Sequence, residues 1–255
     1  MSTGDIFLWV VIPYVAITIF VLGHIWRYRR DQFGWTTRST QLLERRLLKW
    51  GSPLFHYGAL AAIGGHVLGI LIPQGATRAI GIDEHAYHLI SAIAGTLAGT
   101  AALVGLAILI YRRASVRRVA VTTSYVDLVV FALLFFVIAV GMLDTLSHNL
   151  LASGDGYDYR RTVAIWFRGV FVFQDHAQLM AGVPLVYQIH TLSAWAILAL
   201  WPFSRLVHAW SIPVQYIGRP YILYRRRYAR PGLRTRITEP QPGRAQQTTA
   251  PSRTN

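Results

Sequence analysis

The stretch SPLFHYGALAAIGGHVLGILIP, Ser52–Pro73, is apolar over the length of a bilayer crossing, yet it carries His56 and His66 and the glycines Gly58, Gly64, Gly65 and Gly69. About 20 apolar residues suffice to span the hydrocarbon core. Each glycine in a helix interior costs roughly 1 kcal/mol relative to alanine. An imidazole in hydrocarbon costs more unless something pairs with it. The reason for both has to lie in what the rest of the chain places at the same depth.

The surrounding sequence is of one kind. Of its 255 residues, 53% are hydrophobic and only 14% are charged. Five apolar blocks fall at about residues 6–26, 53–72, 86–111, 125–147 and 184–210, each near the length of one span. The expected fold class is therefore all-α, an integral membrane five-helix bundle. Its first 224 residues form the membrane domain, and residues 225–255 form a basic, disordered cytoplasmic tail. There is no cysteine, which excludes thiolate-held iron–sulfur clusters, disulfides and covalently attached haem within this polypeptide.

The net charge of +14 does not point to nucleic acid, because its placement follows the membrane. Of the 25 Lys and Arg residues, 21 lie in the linkers after blocks one and three or in the segment from Arg205 onward. Positive residues mark the cytoplasmic side, so the amino terminus is expected outside and the carboxy terminus in the cytoplasm, as an odd number of spans requires. The first block follows Asp5 and ends in Arg27, Arg29 and Arg30, the pattern of a retained span rather than a cleaved signal peptide. TQLLERRLLKW, residues 40–50, reads as a short interfacial helix. TVAIWFRGVFVF, residues 162–173, fits a strand, an interfacial helix or a re-entrant turn equally well.

Nine histidines occur, and only His56, His66, His190 and His208 sit well inside apolar blocks. Blocks two and five run antiparallel. His56 and His208 then lie near the inner end, and His66 and His190 near the outer end. Facing imidazoles suit the two axial positions of a haem iron, so the spacing points to an inner haem on His56 and His208 and an outer haem on His66 and His190. The four glycines are expected to let backbone approach a flat porphyrin. One mismatch remains. Ten residues rise about 15 Å and eighteen about 27 Å, so tilt or a bend at Pro202 has to absorb the difference. The competing readings are histidines hydrogen-bonded between helices or carrying protons in a haem-free anchor or transporter. Zinc fits less well, since its ligands would converge on one point.

Beyond spacing, SPLFHYG, GGHVLG, YQIHTL and WPFSRLVHAWSIPVQYIGRPY, with the loop RRASVRRVAVTT, resemble the gamma subunit of respiratory nitrate reductase over residues up to about Tyr224. The resemblance implies a bacterial cell-membrane dihaem cytochrome b. It implies two haem b groups, quinol oxidation near the outer face, and electrons passed to an iron–sulfur beta subunit and on to a molybdenum-containing alpha subunit. It also implies a quinol pocket at Gly65 and His66. Near it DEHAYH offers His85 and His88 as acceptors of a quinol proton, since histidine titrates near neutrality. Arg205 and Arg112 are expected to pair with propionates of the inner haem. YIGRPYILYRRRYAR, residues 216–230, is expected to dock the beta subunit or to attract anionic lipid. Related dihaem subunits serving other cytoplasmic reductases remain the alternative.

Overall fold

The computed structural model describes residues 2–150, 157–211 and Gly218, with the backbone alone for residues 148–150. The docking segment and the tail expected to be disordered lie outside the described residues, apart from Gly218. Everything below concerns the compact unit Met1–Ile212.

Among the described residues the regular structure is helical. Four helices are long and apolar enough to cross a membrane: α1 (Thr3–Arg30), α2 (Arg46–Leu71), α3 (Glu84–Ser115) and α4 (Tyr125–Ser147). Two shorter ones follow, α5 (Val163–Phe171) and α6 (Leu185–Leu200). The fifth apolar block is thus not one continuous α-helix. It breaks after Leu200, passes through a 3-10 turn at Trp201–Phe203 and an extended Ser204, and resumes as a 3-10 segment, Arg205–Ser211. Pro202, which offers no backbone N–H and crowds the preceding turn, accounts for the break.

Helix starts follow local chemistry. Ser124 and Asp127 form a reciprocal capping box at the start of α4, and Asp83 accepts from the Ala86 N–H at the start of α3; each satisfies donors that the first turn leaves unpaired. In α1 a π-helical turn at Phe7–Val11 precedes Pro13, a usual accommodation of a ring that cannot donate. The expected interfacial helix at residues 40–50 is instead a turn at Gln41–Leu43 followed by the first turns of α2, which begins at Arg46.

Small residues set how closely α2 and α3 approach. A Cβ on Gly58 would collide with the Ala102 and Ala98 backbone, and one on Gly105 with the backbone of Phe55. This is the close-packing mode of helices in hydrocarbon, where small residues let backbones meet. The outward faces stay apolar, with Leu22, Leu60, Leu97 and Phe136 all exposed. A surface of that kind is stable only against a non-aqueous surrounding.

Residues 157–183 cover one end. The undecided stretch at 162–173 is a helix, α5, whose Val163, Ala164, Trp166 and Val170 are buried. Val163, Trp166 and Val170 join Trp9, Met180, Tyr187 and Trp195 in one core, and the Trp166 indole donates to the Trp9 carbonyl at 2.9 Å. The arginines at this end are occupied. Arg168 donates to the Ile70 carbonyl and Arg160 to that of Ile72, at the carboxy terminus of α2. Arg160 and Arg78 also pair with Glu84, and Arg161 with Asp158.

Candidate functional site

The four singled-out histidines come together two by two. The rings of His56 and His208 have centroids 5.9 Å apart, with planes at 72°. Those of His66 and His190 are 5.8 Å apart, with planes at 27°. His208 does not lie on α6: it sits past the break after Leu200, on the separate 3-10 segment. Among the described residues no three or more His, Cys, Asp or Glu side chains cluster as a metal site.

Each of the four rings is oriented by a backbone carbonyl. His56 Nδ1 bonds the Ser52 oxygen at 2.7 Å, His66 Nδ1 the Ala62 oxygen at 2.7 Å and His208 Nδ1 the Arg205 oxygen at 2.6 Å. His190 Nδ1 reaches across to the Val137 oxygen on α4 at 3.1 Å. A carbonyl only accepts, so Nδ1 carries the proton and Nε2 keeps its lone pair for a metal. Carbonyl-bound Nδ1–H groups are the usual support of metal-binding histidine. His24 makes the contrast. Its Nδ1 bonds the Phe20 carbonyl at 2.7 Å, but its Nε2 already accepts from the Trp210 indole at 3.0 Å.

These residues fit haem. Two imidazoles bound trans to one first-row metal at about 2 Å place their centroids about 6 Å apart, close to both observed separations. A Cβ on Gly64 or Gly65, beside His66, would meet nothing within 4 Å, so this face of α2 stands clear of the rest of the chain. Gly58 and Gly69 serve other ends than the one expected of them. Gly58 seats α3, and a Cβ on Gly69 would run into the hydroxyls of Tyr159 and Tyr87. Those two hydroxyls are 3.0 Å apart, and burial, followed by the neighbouring Tyr87, pushes the Tyr159 phenol upward.

The basic residues expected near propionates have other partners. Arg112, 2% exposed, gives its Nε to Glu44 at 2.6 Å and its remaining nitrogens to the Thr40 hydroxyl and the Thr40 and Glu44 carbonyls. Arg205 grips the Asp127 carboxylate with Nε at 2.8 Å and a terminal nitrogen at 2.6 Å. Sequence reasoning missed Arg27. Although 3% exposed, it binds the carbonyls of Pro202 at 2.6 Å, Ser204 at 3.3 Å and Gly34 at 2.5 Å. It thereby satisfies backbone that the break in the fifth block leaves unpaired. Of the two quinol-pocket histidines, His85 is exposed, whereas His88 has a buried Nε2 with no hydrogen-bond partner. Asp144 is buried as well.

Helices of membrane-crossing length, with histidine rings set in two facing pairs, define the class as a helical membrane protein with paired imidazoles. The chain belongs to the nitrate reductase gamma subunit family, whose profile matches residues 5–227. It is similar to the nitrate reductase gamma chain of Bacillus subtilis, with 46% identity over 220 residues that cover 86% of this chain and 97% of that one. To the respiratory nitrate reductase 1 gamma chain of Escherichia coli it is 32% identical over 229 residues, 89% of this chain and 100% of the other. The nitrate reductase-like protein NarX of Mycobacterium tuberculosis is 49% identical over 224 residues, but the chain spans only 34% of that protein's length.

Proposed function

We propose that this chain is the membrane cytochrome b subunit of a respiratory nitrate reductase, oxidising quinol at one face and delivering electrons to the other. The observation that carries the reading is the set of four imidazoles in two facing pairs, each with Nδ1 committed to a carbonyl. His56 and His208 hold the inner haem b and His66 and His190 the outer one. When bound, the two haems supply one-electron transfer across the membrane.

The protein's own residues do the rest. The histidines hold and orient the rings, and the apolar helices keep water from the path between them. Quinol binds beside Gly65 and His66, where the backbone stands clear. His88 Nε2, buried and unpartnered, accepts the proton of a quinol hydroxyl, because a buried acceptor left unmade is costly and a ligand hydroxyl satisfies it. The amino terminus lies outside and the carboxy terminus in the cytoplasm. That orientation is supported by the charge distribution, and by the outer-side arginines at 78, 160, 161 and 168, which are spent on carboxylates or helix carbonyls. The partners are an iron–sulfur beta subunit and a molybdenum-containing alpha subunit on the cytoplasmic side, where nitrate is reduced.

A reduced-minus-oxidised spectrum of the purified protein tests the reading. Two b-type components are expected, and none would overturn it. His88→Leu is expected to lower quinol oxidation at least tenfold with both components intact; unchanged turnover would remove His88 from the pocket.

A further inference from the structure

α4 carries none of the four paired histidines, yet it touches the support of two of them, His190 on α6 and His208 beyond it. At its start, Asp127 is locked by the Ser124 capping box: its carboxylate accepts from the Ser124 N–H at 3.1 Å, and its own N–H donates to the Ser124 hydroxyl at 3.2 Å. That carboxylate, 2% exposed, holds Arg205 through two nitrogens. The Arg205 carbonyl is the group that receives His208 Nδ1. Ten residues along α4, the Val137 carbonyl receives His190 Nδ1. One turn further, Gly141 has no side chain where the His190 ring passes: a Cβ there would come to 2.7 Å from Cε1.

The two ligands on α2 need no such help. His56 and His66 bond carbonyls four residues back in their own α-helix, and an α-helix holds that geometry by itself. His208 sits on a 3-10 segment behind an extended residue, and His190 turns towards a neighbouring helix rather than its own. The His190 ring is oriented by a carbonyl of another helix; that of His208 is oriented by Arg205 of its own 3-10 segment, which Asp127 holds from outside.

We propose that α4 positions both ligands of the α6 side: Asp127 acts on His208 through Arg205, and the Val137 carbonyl with the vacancy at Gly141 acts on His190. The inference rests on the dihaem reading. Asp127 and Gly141 are positioning residues, since neither reaches the metal. Ligand orientation and hydrogen bonding tune a haem's potential and its spectrum, so the two sites are adjusted from the start and from the second half of one helix, independently of each other.

The experiment is a crossed pair of substitutions in the intact membrane complex, read by redox titration and low-temperature electron paramagnetic resonance of the haems. Asp127→Asn is expected to shift the potential and the resonance of the inner haem alone, by at least tenfold in its oxidised-to-reduced ratio, which is about 59 mV for one electron. Asp127→Glu is expected to restore most of it. Gly141→Ala is expected to shift the outer haem alone. Equal disturbance of both haems by either variant, or of neither by both, overturns the inference. A wild-type complex without two b-type signals would instead sink the dihaem reading beneath it.

Discussion

The two imidazole pairs are built differently. In the His66–His190 pair both residues are α-helical and the rings lie within 27° of parallel. In the His56–His208 pair one partner stands on a 3-10 segment after a break, and the rings are turned by 72°. The first arrangement follows from helix packing. The second needs two arginines, the buried Arg27 on the backbone of the break and the half-buried Arg205 on Asp127. A ligand off the helix gains freedom to turn, at the cost of fixed charges that must be held in place.

That contrast is open to breaking. The largest effect is expected from removing ligands: His190→Ala and His56→Ala should each lose one haem of two and abolish quinol-dependent turnover, measured by pyridine haemochrome content and difference spectra. Loss of both haems from His56→Ala alone would mean that the sites do not form separately. Next comes Arg27→Met, which strands the carbonyls of Pro202, Ser204 and Gly34. Orphaned buried groups cost about 1–3 kcal/mol each, so thermal unfolding should start several degrees lower, with the inner-haem signal bleaching first. Simultaneous bleaching would erase the distinction between a clamped and a rigid site.

A smaller effect concerns Glu44, which braces Arg112. Burial raises its carboxyl, but the Leu47 N–H and the Arg112 guanidinium outweigh this and leave it below the usual carboxylate range. A depressed folded value means that its contribution is complete above the unfolded pKa of about 4.3 and is lost as pH falls through the folded one. Wild type should therefore lose part of its advantage over Glu44→Gln on acidification from about pH 5 to pH 3, as followed by thermal melts; a gap that widens with acid would contradict the assignment. The smallest effect is expected at the exposed Arg161–Asp158 pair. Arg161→Ala should change stability by less than about 1 kcal/mol.

Much of this was legible in the sequence because hydrophobic blocks and histidine spacing are local patterns. Blocks expected at residues 6–26, 53–72, 86–111 and 125–147 appear as α1 to α4, the first three lengthened by polar residues, such as the first turn of α3 behind its cap Asp83, that hydropathy does not count. The histidine quartet was visible for the same reason. The fifth block was read as one span with tilt or a bend at Pro202; that its α-helix ends after Leu200 and the chain resumes as a 3-10 segment is not registered by composition. The arginines' partners within the chain were not legible either. Arg112 and Arg205 looked like partners for an anion, and the anions they found, Glu44 and Asp127, lie 68 and 78 residues away. Gly141 left no signal at all, because a glycine beside a distant ring looks like any other small residue of a span.

Apolar length and period alone therefore determined that the chain is a bundle of membrane-length helices, and depth alone determined which histidines are matched, since both are set by distance along one helix. Only the tertiary structure decided how each ring is turned, which arginines are free, and that α4 stands behind two of the four imidazoles. Hydrogen bonds and steric contacts act over a few ångströms between residues far apart in the chain, and no pattern along the sequence encodes who will be the neighbour.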